Sequence, residues 1–202
     1  MTADFSNVSF TFFGKGYWSK KAGKWVPSTT PLQTVDIAWT GEYIKSVRAK
    51  YQTEELRRIM PTASDQELRD YKLREFDAVA AAGTFNHGSA AGLIERSPYI
   101  VIDIDDLATM QEAREIQQTL INDKEVVTAL CFVSPKGRGL KWWVEMPCWC
   151  MGLTFAEQYA ALSRYLGYEY GLLADPTGSN VNRLCFLPYD EKCFINSKYL
   201  PK

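Results

Sequence analysis

Two aspartates carry the densest chemical signal in the chain. Residues 98–107 read Pro-Tyr-Ile-Val-Ile-Asp-Ile-Asp-Asp-Leu, an apolar run that ends at Asp103 and Asp105. In a strand, alternate side chains point the same way, so these two carboxylates share a face. Neighbouring carboxylates repel unless a cation lies between them. Hard divalent cations take oxygen ligands, and Mg²⁺ in phosphoryl-transfer sites rests on one or two carboxylates plus substrate phosphates. The strand end thus suits a two-metal nucleotidyl-transfer site. The same residues also fit a solvated strand end, with Asp106 capping the next helix.

Two further stretches hold chemistry. Ser134-Pro135-Lys136-Gly137-Arg138-Gly139-Leu140-Lys141 sets three cations and a hydroxyl among two glycines. Glycines let a backbone approach a ligand closely, and the cations could hold a triphosphate. A basic β-hairpin turn is the plainer reading of this segment. Asp175-Pro176, followed by Asn180, Asn182 and Arg183, offers a third metal carboxylate and polar groups leading into a strand. An Asp-Pro turn before an ordinary strand is the plainer reading there.

The elements that must position these residues follow from hydrophobic period and turn chemistry. Alternation predicts a strand over 8–13, and the Gly, Lys, Ser and Pro content of 14–31 predicts a hairpin or loop. A helix is expected from Thr40 to about Met60, and a second over 66–76, capped from Thr62, Ser64 or Asp65. The Ala- and Gly-rich stretch 79–93 reads as an irregular connection. Strand 98–104, helix 110–121, strands 126–133 and 140–146, helix 155–168 and strand 181–187 complete the chain. This order, β-α-β-β-α-β, is the split βαβ arrangement, with strand 98–104 central. The expected fold is α/β (α+β): an α-rich N-terminal lobe, 1–95, packed on an RNA-recognition-motif-like lobe, 96–202, in one unit. Trp142 and Trp143 point to opposite faces, so at most one lies near a ligand and the other belongs to the core.

Composition narrows the function classes. Hydrophobic residues make up 46% of the 202, enough for a real core. The net charge of -1 means that any nucleic-acid contact must come from a local basic patch. No apolar run approaches the length of a membrane span, and Met1 to Ser6 has no signal-peptide character, so a cytoplasmic protein is expected. The five cysteines, at 131, 148, 150, 185 and 193, contain no CxxC pair and read as free, mostly buried thiols. A zinc site built from Cys148, Cys150, Cys185 and Cys193 matches no common spacing. The single histidine, His87, excludes a nuclease that needs two metal-binding histidines. A Ser-His-Asp triad would have to be built on that same residue, in a Gly-rich turn.

Taken in order, the Asp-x-Asp strand, the Ser/Gly/basic hairpin and the acidic residue before an Arg-bearing strand resemble the three motifs of the archaeo-eukaryotic primase superfamily, the primase-polymerases. More closely, the chain resembles the VirE N-terminal-type domain of bacterial mobile elements. The matching stretches are Gly83-Thr84-Phe85, Ser97 to Asp105, Ser134 to Lys141 and Asn182-Arg183-Leu184-Cys185-Phe186. The likeness spans roughly 40–195. It implies a nucleotidyltransferase that synthesises or extends primers in the replication of a mobile element or phage, on a single-stranded DNA template, from NTPs or dNTPs. A helicase domain or protein is an implied partner. Asp103, Asp105 and Asp175 would hold two Mg²⁺ or Mn²⁺, and Ser134, Lys136, Arg138 and Lys141 would hold the triphosphate. Arg183 would neutralise phosphate or position the sugar. The superfamily histidine that contacts phosphate has no counterpart, and Lys141 stands in its place. Lysine serves as a point charge on phosphate, and at its ordinary pKa it titrates far from neutrality, so the expected role is binding and not acid-base chemistry. Two alternatives stand beside this reading: a non-catalytic single-stranded nucleic-acid-binding module and a metal-dependent nuclease.

Overall fold

The computed structural model describes residues 8–201; the segment Met1 to Ser6 discussed above lies outside them. Seven strands and three helices come first: β1 (Phe10–Phe13), β2 (Tyr17–Ser19), β3 (Lys24–Val26), β4 (Pro31–Val35), α1 (Ile37–Lys45), α2 (Lys50–Ile59), α3 (Asp65–Glu75), β5 (Ala78–Ala80), β6 (Gly83–Phe85) and β7 (Leu93–Arg96). Then follow β8 (Tyr99–Ile104), α4 (Met110–Ile121), β9 (Thr128–Val133), β10 (Leu140–Glu145), α5 (Phe155–Tyr170), β11 (Cys185–Phe186) and β12 (Phe194–Ile195). The chain is mixed α/β, and its pairings are antiparallel. One sheet has the order β11-β5-β1-β4 and a second β12-β9-β10-β8, beside the ribbons β2-β3 and β6-β7.

The second sheet is buried on both faces, which is why its strands read as continuous apolar runs. Ile100, Ile102, Ile104, Leu140, Trp142 and Val144 pack under α4 and α5, against Ala113, Leu120, Leu162 and Leu166. On the opposite face Tyr99, Leu130, Phe132 and Trp143 meet Phe10, Phe12 and Val79 of the first sheet. Both tryptophans are therefore core residues, and neither reaches the ligand cleft described below. Trp142 satisfies its indole by donating to Thr128 Oγ1 at 2.7 Å.

Several sequence expectations need correction. The expected 40–60 helix is two helices. It starts earlier, where Asp36 Oδ1 accepts from Trp39 N at 2.8 Å, and it breaks at Ser46, whose backbone is extended. The 79–93 connection holds β6 and most of β5, and it ends at the first residue of β7; Ala78, Val79 and Ala80 form β5 because they lie between β1 and β11, where tertiary pairing overrides low β-propensity. The N-terminal part accordingly carries seven short strands, β1–β7, beside its three α-helices.

The last expected strand, 181–187, shrinks to β11 and joins the first sheet instead of the second. Strand β8 is therefore an edge strand, not a central one, and β12 occupies the far edge beside β9. The physical reason lies in 175–182. Asp175 N donates to Asp103 O at 2.8 Å, and the chain then turns at Pro176–Ser179. Asn182 Nδ2 binds Gly88 O at 3.0 Å, which carries the segment across to the first sheet.

Candidate functional site

Where the two sheets part, a cleft of about 1110 Å³ opens, walled on the other side by the end of α2 and by α3. Asp103, Asp105, Asp175, Ser134, Lys136, Arg138, Lys141 and Arg183, the residues singled out from sequence, all line it.

Strand β8 delivers the first carboxylate and ends one residue before the second. Asp103 sits opposite Lys141 in the β8–β10 register, and directly opposed side chains on one face interact. The Lys141 ammonium pairs with Asp103 Oδ2. Asp103 is buried, and its Oδ1 has no hydrogen-bond partner among the described residues. Asp105 lies just beyond the strand, followed by Asp106 in the left-handed region at φ 59°. That conformation is uncommon outside glycine and turns the chain sharply at the site.

Asp175 arrives from the other direction. Its carboxylate accepts from Thr177 N at 2.9 Å and Thr177 Oγ1 at 2.6 Å, and pairs with Arg183 at 3.2 Å. Its carbonyl accepts from Tyr159 Oη at 2.5 Å, so α5 braces the turn. Gly178 lies flat on the Tyr159 ring, where a Cβ would fall 2.4 Å from the hydroxyl oxygen. With these supports, one oxygen from each of Asp103, Asp105 and Asp175 lies within 4.8 Å of the others. An all-carboxylate set of this kind, one member holding a buried orphan oxygen, fits a hard divalent cation.

The glycine hairpin closes a third side. Gly137 takes φ +78°, a conformation that suits glycine. A Cβ at Gly139 would lie 2.5 Å from Ile104 O and 3.1 Å from Asp105 Oδ1, so only glycine allows this approach. Arg57 from α2 donates to Pro135 O at 3.1 Å, and Arg138 Nε donates to Leu107 O at 2.9 Å. Both fasten the loop, and Arg138 thus carries a structural bond as well as a charge.

The electrostatics are uneven. Burial and the neighbouring Asp175 carboxylate raise the Asp105 pKa. Asp175 is also penalised by burial, but the Thr177 bonds and Arg183 outweigh this and lower it. Burial pushes the Lys141 ammonium down to about 8, with Lys72 and Arg183 repelling it. Burial and repulsion from Lys136 lower Lys72 as well. Asp103 and Asp175 offset part of this repulsion by pairing with Lys141 and Arg183.

Sequence reasoning missed Arg69 and Lys72, which α3 presents to this cleft. In a helix reading Asp-Gln-Glu-Leu-Arg-Asp-Tyr-Lys-Leu-Arg-Glu they look like any solvated charges, and only the packing of α3 reveals them. The thiols Cys131, Cys150, Cys185 and Cys193 are buried, and Cys148 is exposed. No described helix is long and apolar enough to cross a membrane.

No curated protein and no solved structure matches the chain. A family model, the BT4734-like, N-terminal domain, matches residues 72–194, more than half of the chain. The matched span runs from Lys72 through all three aspartates, the glycine hairpin and Arg183. By that match, the chain belongs to the BT4734-like, N-terminal domain family.

Proposed function

We propose that this chain carries out template-directed nucleotidyl transfer, synthesising or extending a primer from NTPs or dNTPs on single-stranded DNA. The observation that carries the reading is the meeting of Asp103, Asp105 and Asp175 in a cation-lined cleft. The order of the motifs, which resembles that of the primase-polymerases, supports it. So does the partial likeness of the second sheet to the RNA-recognition-motif order, which extends to the β8-β10-β9 neighbours.

In this reading the three carboxylates hold Mg²⁺ or Mn²⁺, which when bound supplies Lewis-acid stabilisation of the reacting phosphoryl oxygens. Lys136, Arg138, Lys141 and Lys72 then face the triphosphate, and charge-assisted contacts orient it. Ser134 and the close backbone at Gly139 shape the floor beside Asp105. Arg183, already bound to Asp175, sits where it could neutralise phosphate or fix the sugar. A volume above the usual small-molecule range leaves room for a template end beside the nucleotide.

The test is incorporation of labelled NTP or dNTP on a single-stranded template with Mn²⁺ or Mg²⁺, with and without primer. The wild-type chain should incorporate label. Replacing Asp103 and Asp105 together by Asn should lower the rate at least about a hundredfold, because neutral amides hold these metals poorly. The Lys141–Asp103 ion pair favours a second reading, a binding module in which that acid is structural. Strong DNA binding by wild-type protein that never incorporates label would select it.

A further inference from the structure

The ribbon β2–β3 stands out against a nearly neutral chain. No acidic residue occurs from Phe5 to Val35, while Lys15, Lys20, Lys21 and Lys24 fall within that stretch. Glu75 answers Lys15 at 3.8 Å. Lys20, Lys21 and Lys24 are exposed and form no ion pair among the described residues. Interleaved with them are two large rings left half in water, Tyr17 at 54% and Trp18 at 51% exposure. Trp18 faces Trp25 across the strand pair, with ring centroids 6.2 Å apart, and Arg74 lies 5.9 Å from the Trp25 ring.

The ribbon is held firmly. Gly16 N donates to Leu73 O of α3 at 2.7 Å, and a Cβ at Gly16 would fall 2.4 Å from Val26 O. Its turn is fixed by Gly23, at φ +61°, whose N–H binds Ser19 O at 2.8 Å. The chain leaving β3 passes through Pro27 and Ser28, which line the cleft. Helix α3, on which the ribbon rests, supplies Arg69 and Lys72 to the same cleft. Helix α3 therefore links the ribbon to the wall of the cleft.

We propose that the β2–β3 ribbon is the docking surface for single-stranded nucleic acid, with Trp18 stacking on a base and Lys20, Lys21 and Lys24 meeting phosphates; Tyr17, its neighbour in β2, points to the opposite face. The assignment deepens the nucleotidyl-transfer reading by naming where the template lies, and it rests on that reading. Exposed ring faces between lysines match a strand whose bases are open, and such binding is tolerant of sequence. A duplex hides its base faces and leaves only the charge contacts.

The experiment titrates fluorescein-labelled oligothymidylate, a mixed-sequence duplex and phosphatidylserine-containing vesicles against four proteins. These are the wild type, Trp18→Ala, the triple variant Lys20→Gln/Lys21→Gln/Lys24→Gln, and Asp103→Asn/Asp105→Asn. Trp18→Ala should weaken oligothymidylate binding by about five- to a hundredfold, the range of a lost base stack, with much less effect on the duplex. The lysine variant should lower the slope of log affinity against log salt by about 2, for three lost phosphate contacts. The aspartate variant should bind at least as well as wild type. Far-ultraviolet circular dichroism and melting of each variant exclude unfolding, and Trp18→Phe should restore most of the affinity. Wild-type binding that the ribbon variants leave intact would overturn this surface while leaving the proposed reaction standing. Wild-type protein that binds no oligothymidylate would overturn the template reading itself. Ribbon-dependent binding to the vesicles alone would assign the surface to anionic lipid and overturn the proposal.

Discussion

At the scale of single residues, the Asp103–Lys141 pair and the Asp105–Asp175 neighbours set up opposite consequences. Lys141 and Asp103 are both largely buried, so Lys141→Ala strands a carboxylate in the protein interior. Breaking such a pair from one side typically costs about 3–5 kcal/mol, which should appear as a large fall in melting temperature. Mn²⁺ should then raise the melting temperature of Lys141→Ala more than that of wild type, because a cation that binds only the folded state stabilises it. Equal shifts in both proteins would count against the triad as a metal site. Asp105 behaves differently. Its folded pKa is raised, chiefly by burial and then by Asp175, so its ionised form burdens the folded state. Below the unfolded pKa, about 3.9, both states hold the proton and no penalty exists. The penalty sets in as pH rises through the raised folded pKa, and it is fully present at neutrality. Asp105→Asn should therefore melt higher than wild type at pH 7 in EDTA, with the gain vanishing at low pH. A gain that persists below pH 3 would mean that packing, not charge, is responsible.

At the scale of elements, the glycine hairpin between β9 and β10 decides how close the backbone comes to the carboxylates. Gly139→Ala removes no charged group, yet its Cβ would sit 2.5 Å from Ile104 O and 3.1 Å from Asp105 Oδ1. Backbone cannot yield that distance without moving the loop, so nucleotide affinity should drop by about tenfold or more. Fluorescent nucleotide titration would show it, and unchanged affinity would remove the hairpin from the site. Elements of this half were legible in the sequence because their signals are local. Helix α4 begins at Thr109, whose hydroxyl accepts from Glu112 N, and it spans the expected 110–121. Helix α5 carries a full capping box, with Thr154 and Glu157 bonding reciprocally. The acidic pair was legible because β8 is apolar up to Asp103. The limits of strand β11 were not, because Leu184 to Leu187 is a continuous apolar run like that of a longer strand. What shortens it is the bond from Asn182 to Gly88, ninety-four positions away, which no local pattern encodes. Arg69 and Lys72 were hidden for the same reason.

At the scale of the whole molecule, the chain is knit across its midpoint. Tyr99, Leu130, Phe132 and Trp143, from the second half, share one core with Phe10, Phe12, Ile37 and Val79, from the first. Strand β11 leaves the second half to pair with β5. Tyr189 N donates to Thr53 Oγ1 at 2.8 Å, and Asp190 N to Ile44 O at 2.9 Å. Arg114 fixes the same loop through Asp190 at 2.5 Å. A division at residues 95 and 96 therefore cuts through a shared hydrophobic interior. Expressed alone, 96–202 would expose the inner face of β8–β10, including a fully buried tryptophan and tyrosine. Exposed apolar faces of that kind drive association. The full chain should unfold in one calorimetric transition, with van't Hoff and calorimetric enthalpies equal. The 96–202 fragment should bind hydrophobic dyes or aggregate, and mixing it with 1–95 should restore the cooperative transition. Two separate transitions in the intact chain, or a monomeric fragment with native near-ultraviolet dichroism, would show that the halves fold independently. In that case the cleft between them would be set by docking, and binding of nucleotide or metal should merge the transitions, because only the docked form holds both walls of the site.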